Sequence, residues 1–294
     1  MSEDKKFQQN KPRMTQAIVP ADKVSKVVFN LNEAQFSRAM EDGFDCEDGK
    51  KVNIPVWLEN AEGFLDKTPL TPFDREVVFS LISAYEAGYR TATYHSILSA
   101  MTGSDKCRIY DNQYEAIKKA VYKGQGTIIQ IDVSPLSAYS KYNNKKCDIK
   151  IRDNILPCRV IEATYNGQKT LVIEMRGESP LMTYAKFRKQ FQKYDLKPLA
   201  VPNQRNTPLV IVIKHELRRW VDAVITRELN NTLTLTVFLK NIGHADADKF
   251  KKRKIRETMA ATLNHFVAEK IITSWYWTKS GNAYEKITIS YDKA

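Results

Sequence analysis

Residues 71–103 read TPFDREVVFSLISAYEAGYRTATYHSILSAMTG, and the expectation for the whole chain starts there. Thr71 suits a helix N-cap, because its hydroxyl can accept a hydrogen bond from an orphan amide of the first turn. Pro72 carries the fixed φ that the first helical position wants, and Asp74 puts an acid at the third. Val77, Val78, Leu81, Ile82 and Tyr85 follow at helical spacing, and Gly88 supplies a stop. Thr93 is placed to cap a second, shorter helix bearing Ile97, Leu98 and Met101 and closed by Gly103. Asp111 is placed to cap a third, with Tyr114, Ile117 and Val121 on one face and Gly124 at its end.

Working outward, Ile129, Ile131 and Val133 alternate as a strand does, and Ile54-Pro55-Val56-Trp57-Leu58 reads as an edge strand because of its proline. Residues 156–163 and 171–175 are rich in strand formers. Between them lies Asn166-Gly167, a dipeptide that tolerates the positive φ of a tight hairpin turn. Residues 134–154 then form a long loop inside or leading to this hairpin. Three short helices followed by a hairpin is the order of a winged helix-turn-helix. Ser179-Pro180 starts a further helix expected to run to about Tyr194.

Three prolines between 198 and 208 mark a boundary. Beyond it the plan repeats. An apolar segment (Leu209, Ile211, Ile213) leads into a helix with Leu217, Trp220, Val221, Val224 and Ile225, broken at Asn230-Asn231. A short strand (232–236), a short helix (237–243), a long helix (249–270) and a terminal hairpin (272–291) complete it. The buried stripe of the long helix is Ile255, Met259, Leu263 and Phe266; in the hairpin Trp275 and Trp277 share the core face, with Tyr276 on the other. The expected class is α+β with two tandem winged helix-turn-helix domains. The expected division is 1–52 a flexible N-terminal arm, with 1–17 disordered, 53–197 a first domain with extended wing and trailing helix, 198–208 a linker, and 209–294 a second domain.

Charge points to a partner. The chain carries a net +12, and residues 180–294 hold 21 Lys and Arg against 10 Asp and Glu, so nearly all the excess lies there. Residues 1–57 hold nine of each sign. Clustered cations attract a polyanion, since each neutralised phosphate releases condensed counterions. No apolar run reaches the ~18–20 residues of a membrane span, and the first residues lack the apolar core of a signal peptide, so a cytoplasmic protein is expected. Cys46, Cys107, Cys147 and Cys158 form no CxxC pair, and with His95, His215, His244 and His265 they form no zinc pattern. GxxxxGK[ST], GxSxG and HExxH are absent, as is the paired-His motif of a rolling-circle nickase. The expectation is a DNA-binding protein that is not an enzyme and takes no cofactor or metal.

Third helices enter the major groove in this fold class, so their outward residues are the candidates for contact with double-stranded DNA. In the second domain these are Lys249, Lys251, Lys252, Arg253, Lys254 and Arg256. A helix start already carries partial positive charge, so six cations there call for an anion. In the first domain they are Asn112, Gln113, Lys118, Lys119 and Lys123. The wing turns add Asn166, Gln168 and Lys169, then Lys279, Ser280 and Asn282.

The chain resembles plasmid-type replication initiators with tandem winged-helix domains, found in bacteria and their mobile elements. The stretches that carry the resemblance are Leu70 to Glu76 (LTPFDRE), Ala100 to Gly103 (AMTG), Ser179-Pro-Leu with Tyr184-Ala-Lys, Lys214 to Trp220 (KHELRRW), and Lys252 to Arg256 (KRKIR). It spans residues 54–291. The resemblance implies origin repeats as the DNA target, host replication proteins as partners, and exchange between a self-repressing homodimer and an origin-binding monomer. A transcriptional regulator of a mobile element or phage, or a winged-helix scaffold for protein contacts, are the alternatives.

Overall fold

The computed structural model describes residues 14–22, 25, 28–30, 44–45, 51–52, 69–106, 110–132, 150–165, 168–227, 230–280 and 283–292. The chain is α+β. Its helices are α1 (Pro72–Glu86), α2 (Tyr94–Thr102), α3 (Asp111–Gly126), α4 (Pro180–Phe187), α5 (Pro208–Arg227), α6 (Leu235–Asn241) and α7 (Lys249–Ala268). Its strands are β1 (Gln16–Pro20), β2 (Phe44–Asp45), β3 (Lys51–Val52), β4 (Thr91–Thr93), β5 (Ile128–Asp132), β6 (Lys150–Asn154), β7 (Cys158–Tyr165), β8 (Gln168–Met175), β9 (Phe191–Asp195), β10 (Thr232–Thr234), β11 (Ser274–Ser280) and β12 (Ala283–Ser290).

Local chemistry explains the helix starts. Thr71 accepts from the Asp74 amide while the Asp74 carboxylate accepts from the Thr71 amide at 2.8 Å, a reciprocal capping box worth about 1 kcal/mol. Thr93 and Ser96 make the same exchange at α2. At α3 the expectation needs correcting. Tyr110 is the N-cap, without a side-chain bond, and Asp111 is the first helical residue. Nor does Gly124 stop that helix. A Cβ there would lie 2.8 Å from Leu156 Cδ1, so this glycine exists for close packing and the helix runs on to Gly126.

Two sheets share one topology. β4, β8 and β7 lie in the order β4-β8-β7, all antiparallel; β10, β12 and β11 lie in the order β10-β12-β11. In each, a three-residue strand of TxT sequence leads directly into a short helix capped by its last threonine, Thr93 or Thr234. Each short helix is followed by a glycine in the left-handed region, Gly103 at φ 69° and Gly243 at φ 71°. A Cβ at Gly103 would sit 2.3 Å from the Leu196 carbonyl, so both conformation and space exclude a side chain there. Helix, strand, helix, helix, hairpin therefore occurs twice along the chain, the first time with the β5–β6 pair set between the third helix and the hairpin. The hairpin turns at 166–167 and 281–282 lie outside the described residues, as does the segment 54–58.

Three further expectations are corrected. Residues 150–154 are β6, paired with β5 in full register from Ile128↔Asn154 to Asp132↔Lys150, so the segment after β5 ends in a strand. The helix begun at Pro180 stops at Phe187. Lys189 turns left-handed at φ 53°, and Phe191–Asp195 becomes β9 with Gln192 and Tyr194 buried. Phe187, Phe191 and Tyr194 mimic a helical stripe, but pairing with β1 overrides the pattern and leaves Phe191 exposed. That partner strand corrects the arm as well: residues 16–20 pair with β9, and Val19, Val28 and Phe29 belong to the core, Phe29 meeting Phe79 edge-on at 5.7 Å.

The described residues form two apolar cores. One gathers α1, α2, α3, α4 and the strands around them; the other joins α5, α6, α7 and the β10-β12-β11 sheet. The stripe read on α7 is fully buried in the second core, and each such side chain contributes about 1.5–3 kcal/mol. Trp275 and Trp277 pack against this core, with ring centroids 6.2 Å apart, whereas Tyr276 is exposed. Phe73 touches both cores. Among the described residues no helix is long and apolar enough to cross a membrane, and no group of three His, Cys, Asp or Glu could hold a metal ion.

Candidate nucleic-acid interface

Helix α7 starts at Asp248, whose carboxylate accepts the Lys251 amide at 2.7 Å. Its first turn holds no acid. Lys249, Lys251, Arg253 and Lys254 are exposed, and Lys252 and Arg256 are half-buried at the flanks of the stripe. At 100° per residue the buried stripe turns Arg253 and Lys254 to water. Arg253 meets Glu257 at 3.5 Å, with both side chains more than 60% exposed, so this pair constrains it little. The sequence-derived cluster is thus brought together on two turns of one helix. Lys279 is exposed on β11 beside a register shift in the hairpin, and Asn282 lies outside the described residues.

The equivalent helix of the first unit differs. Asn112 and Lys119 are exposed. Lys118 reaches Glu162 on β7 at 2.7 Å, and the Tyr122 hydroxyl donates to the same carboxylate at 2.5 Å. Lys123 is nearly buried, 3.2 Å from Asp74 and 3.4 Å from the Pro69 carbonyl, so it braces the start of α1. Gln113 donates to the Asn206 carbonyl at 2.6 Å and fastens the 198–208 segment. Gln113 and Lys123 thus have partners within the fold, a use that spacing on a helix face does not reveal, while Lys118 makes a partly exposed ion pair with the hairpin. Lys169 is the second residue of β8 and its side chain lies outside the described set, with Asn166; Gln168 opens β8.

Beneath these surfaces the units meet in a buried ion network that the sequence analysis did not anticipate. Glu76 on α1 receives a fork from Arg219 on α5, at 2.7 and 2.8 Å. Arg75 donates to Glu76 at 3.0 Å and to Glu216 at 3.1 Å; Arg219 also reaches Glu216 at 3.0 Å. Asn241, at the end of α6, holds the other Glu216 oxygen at 2.9 Å. Two carboxylates and two guanidiniums cancel, which makes their burial tolerable. Burial would raise the Glu76 pKa, but the Arg219 and Arg75 charges prevail and hold it at about 2. Burial pushes His215 down to about 4, so its ring is neutral: Nε2 donates to the Met101 carbonyl at 2.9 Å and Nδ1 accepts from the Tyr194 hydroxyl at 3.3 Å. The segments LTPFDRE and KHELRRW, noted separately in sequence, meet in this joint.

No family model matches the chain, and no curated protein does. Solved structures share part of its shape, among them the following two. Domains 2 and 3 of RctB align with a TM-score of 0.41 at 12% identity, over 77% of this chain and 84% of that one. The Pi initiator protein in complex with iteron DNA aligns with a TM-score of 0.39 at 10% identity, over 97% of this chain and all of that one.

Proposed function

We propose that the chain is a sequence-specific double-stranded DNA-binding protein made of two winged-helix units joined by the 198–208 segment, the first taking in β1 as well as residues 69–197 and the second residues 209–294. The supporting observation is α7: six cations on two turns of a helix without a first-turn acid, with Arg253 and Lys254 projecting into water. Such a helix fits a major groove about 12 Å wide, with the hairpin following it as a wing on the backbone. In this reading the protein binds and positions DNA and carries out no chemistry on it.

Within that class we favour a replication initiator that binds origin repeats of a plasmid or other mobile element. Two units of like element order on a single chain suit a repeated or composite site. Selection from a random duplex library by the full chain should enrich a defined sequence, and Arg253→Glu with Lys254→Glu should weaken its binding by about 100-fold or more at moderate salt. Failure to enrich any sequence would overturn the reading; enrichment with unchanged affinity after the double reversal would remove α7 from it. A replicon dependent on this gene and its flanking repeats separates an initiator from a transcriptional regulator.

A further inference from the structure

The cations of α7 share their face with one side chain that a phosphate-binding surface does not need. Phe250 is 73% exposed, the most exposed of the large apolar side chains among the described residues. Left in water, a phenyl ring forgoes stabilisation that every other phenylalanine in the two cores obtains. Its position is specific. Taking 100° per residue, Phe250 lies 140° round from Ile255, close to the centre of the outward face. Arg253 and Lys254 follow one turn later, Glu257 two turns later and exposed Ala261 three turns later. The ridge thus presents a ring, a guanidinium, an ammonium and a carboxylate, and then a small residue that allows close approach.

In the major groove the bases offer donors and acceptors, and thymine alone adds an apolar methyl group. We infer that Phe250 is a specificity-determining residue that packs on the 5-methyl group of a thymine, one turn of helix away from the base pair met by Arg253. Along α7 the two residues are about 4.5 Å apart. A base pair rises about 3.4 Å, so the thymine lies one or two steps from the Arg253 contact. The inference rests on α7 being the major-groove helix. It adds a preference for A·T at one position, which cations alone would not give.

Deoxyuridine pairs as thymidine does and lacks only the methyl group, so it is the probe. The full chain is titrated with its selected duplex, with each thymine replaced singly by uracil. At one or two adjacent positions wild-type affinity should fall by about fourfold, the effect of losing one buried methyl. Phe250→Ala should bind the thymine duplex correspondingly weakly and show no further loss with uracil there; Phe250→Leu should keep part of the sensitivity. The side chain is exposed, so these variants should fold, and unchanged thermal melting confirms it. Equal uracil penalties in wild type and Phe250→Ala, or a selected sequence with no fixed thymine, overturn the inference while leaving DNA binding intact. Absence of any selected sequence instead fails the reading of α7 itself, and the inference with it.

Discussion

In α3, Lys118 is held by Glu162 on the hairpin and Lys123 by Asp74 at the start of α1, while Gln113 ties down the 198–208 segment. In α7, at the same place in the second unit, Lys249, Lys251, Arg253 and Lys254 are exposed, Arg253 beside an equally exposed Glu257. One element order therefore carries two deployments of charge. A cation on a third helix is thus a candidate for binding only once its internal partners are known. In the proposed function the second unit is the anchor on DNA and the first the body it is braced against. The brace is physical, because Glu76 and Arg75 of the first unit are locked to Glu216 and Arg219 of the second.

Breaking that brace should have the largest effect. Glu76→Gln removes one partner of a buried network and leaves Arg219 without its fork, which costs about 3–5 kcal/mol. Chemical denaturation should show the loss; if the brace is what couples the units, the single transition should also split in two. A change below ~1 kcal/mol would mean that the joint is not a structural lock.

Acid attacks the same joint more gradually. His215 binds its proton at about 4 when folded against an ordinary 6.5, so the unfolded chain takes up the proton first and stability falls as pH drops from 6.5 towards 4. Glu76 lies at about 2 against 4.5, so its contribution is complete above 4.5 and disappears as pH falls towards 2. Melting temperature measured between pH 7 and 3 should decline across both windows, and His215→Gln should flatten the upper one. A flat profile from 6.5 to 4 would contradict the buried neutral ring.

The smallest effect sharpens the comparison most. Lys123→Met should cost about 1–2 kcal/mol of stability, because it frees the capping carboxylate of Asp74, while duplex affinity of the folded protein stays as it was. Weakened binding in a fully folded variant would return Lys123 to the interface.

The two helices also differ in how much of their use is written in local sequence. Thr71, Thr93, Gly103 and the stripe of α7 were legible because caps and helical periods are local signals. β9 was not, since Phe191–Asp195 is a strand only by virtue of residues 16–20, about 175 positions earlier in the chain. The α7 cluster was legible because runs of like charge on one helix are conspicuous. The internal roles of Gln113, Lys118 and Lys123 depend on partners 44 to 93 residues away, and the buried joint on pairs 141 and 143 apart. One clue was present: Arg75 and Glu76 sit in a helix that buries ten consecutive residues, where charges must have partners. Phe250 was overlooked because an aromatic in a basic run reads as ordinary helix sequence until its exposure is known.

In the function proposed above, α7 and not α3 neutralises DNA phosphates. The most direct test is the slope of log affinity against log salt for the full chain on its selected duplex. Lys251→Gln with Lys254→Gln should lower the magnitude of that slope by about 1.8, the release of two phosphate contacts, whereas Lys118→Gln with Lys123→Gln should leave it unchanged. An unaltered slope for the α7 pair, or an equal reduction from the α3 pair, would contradict the account.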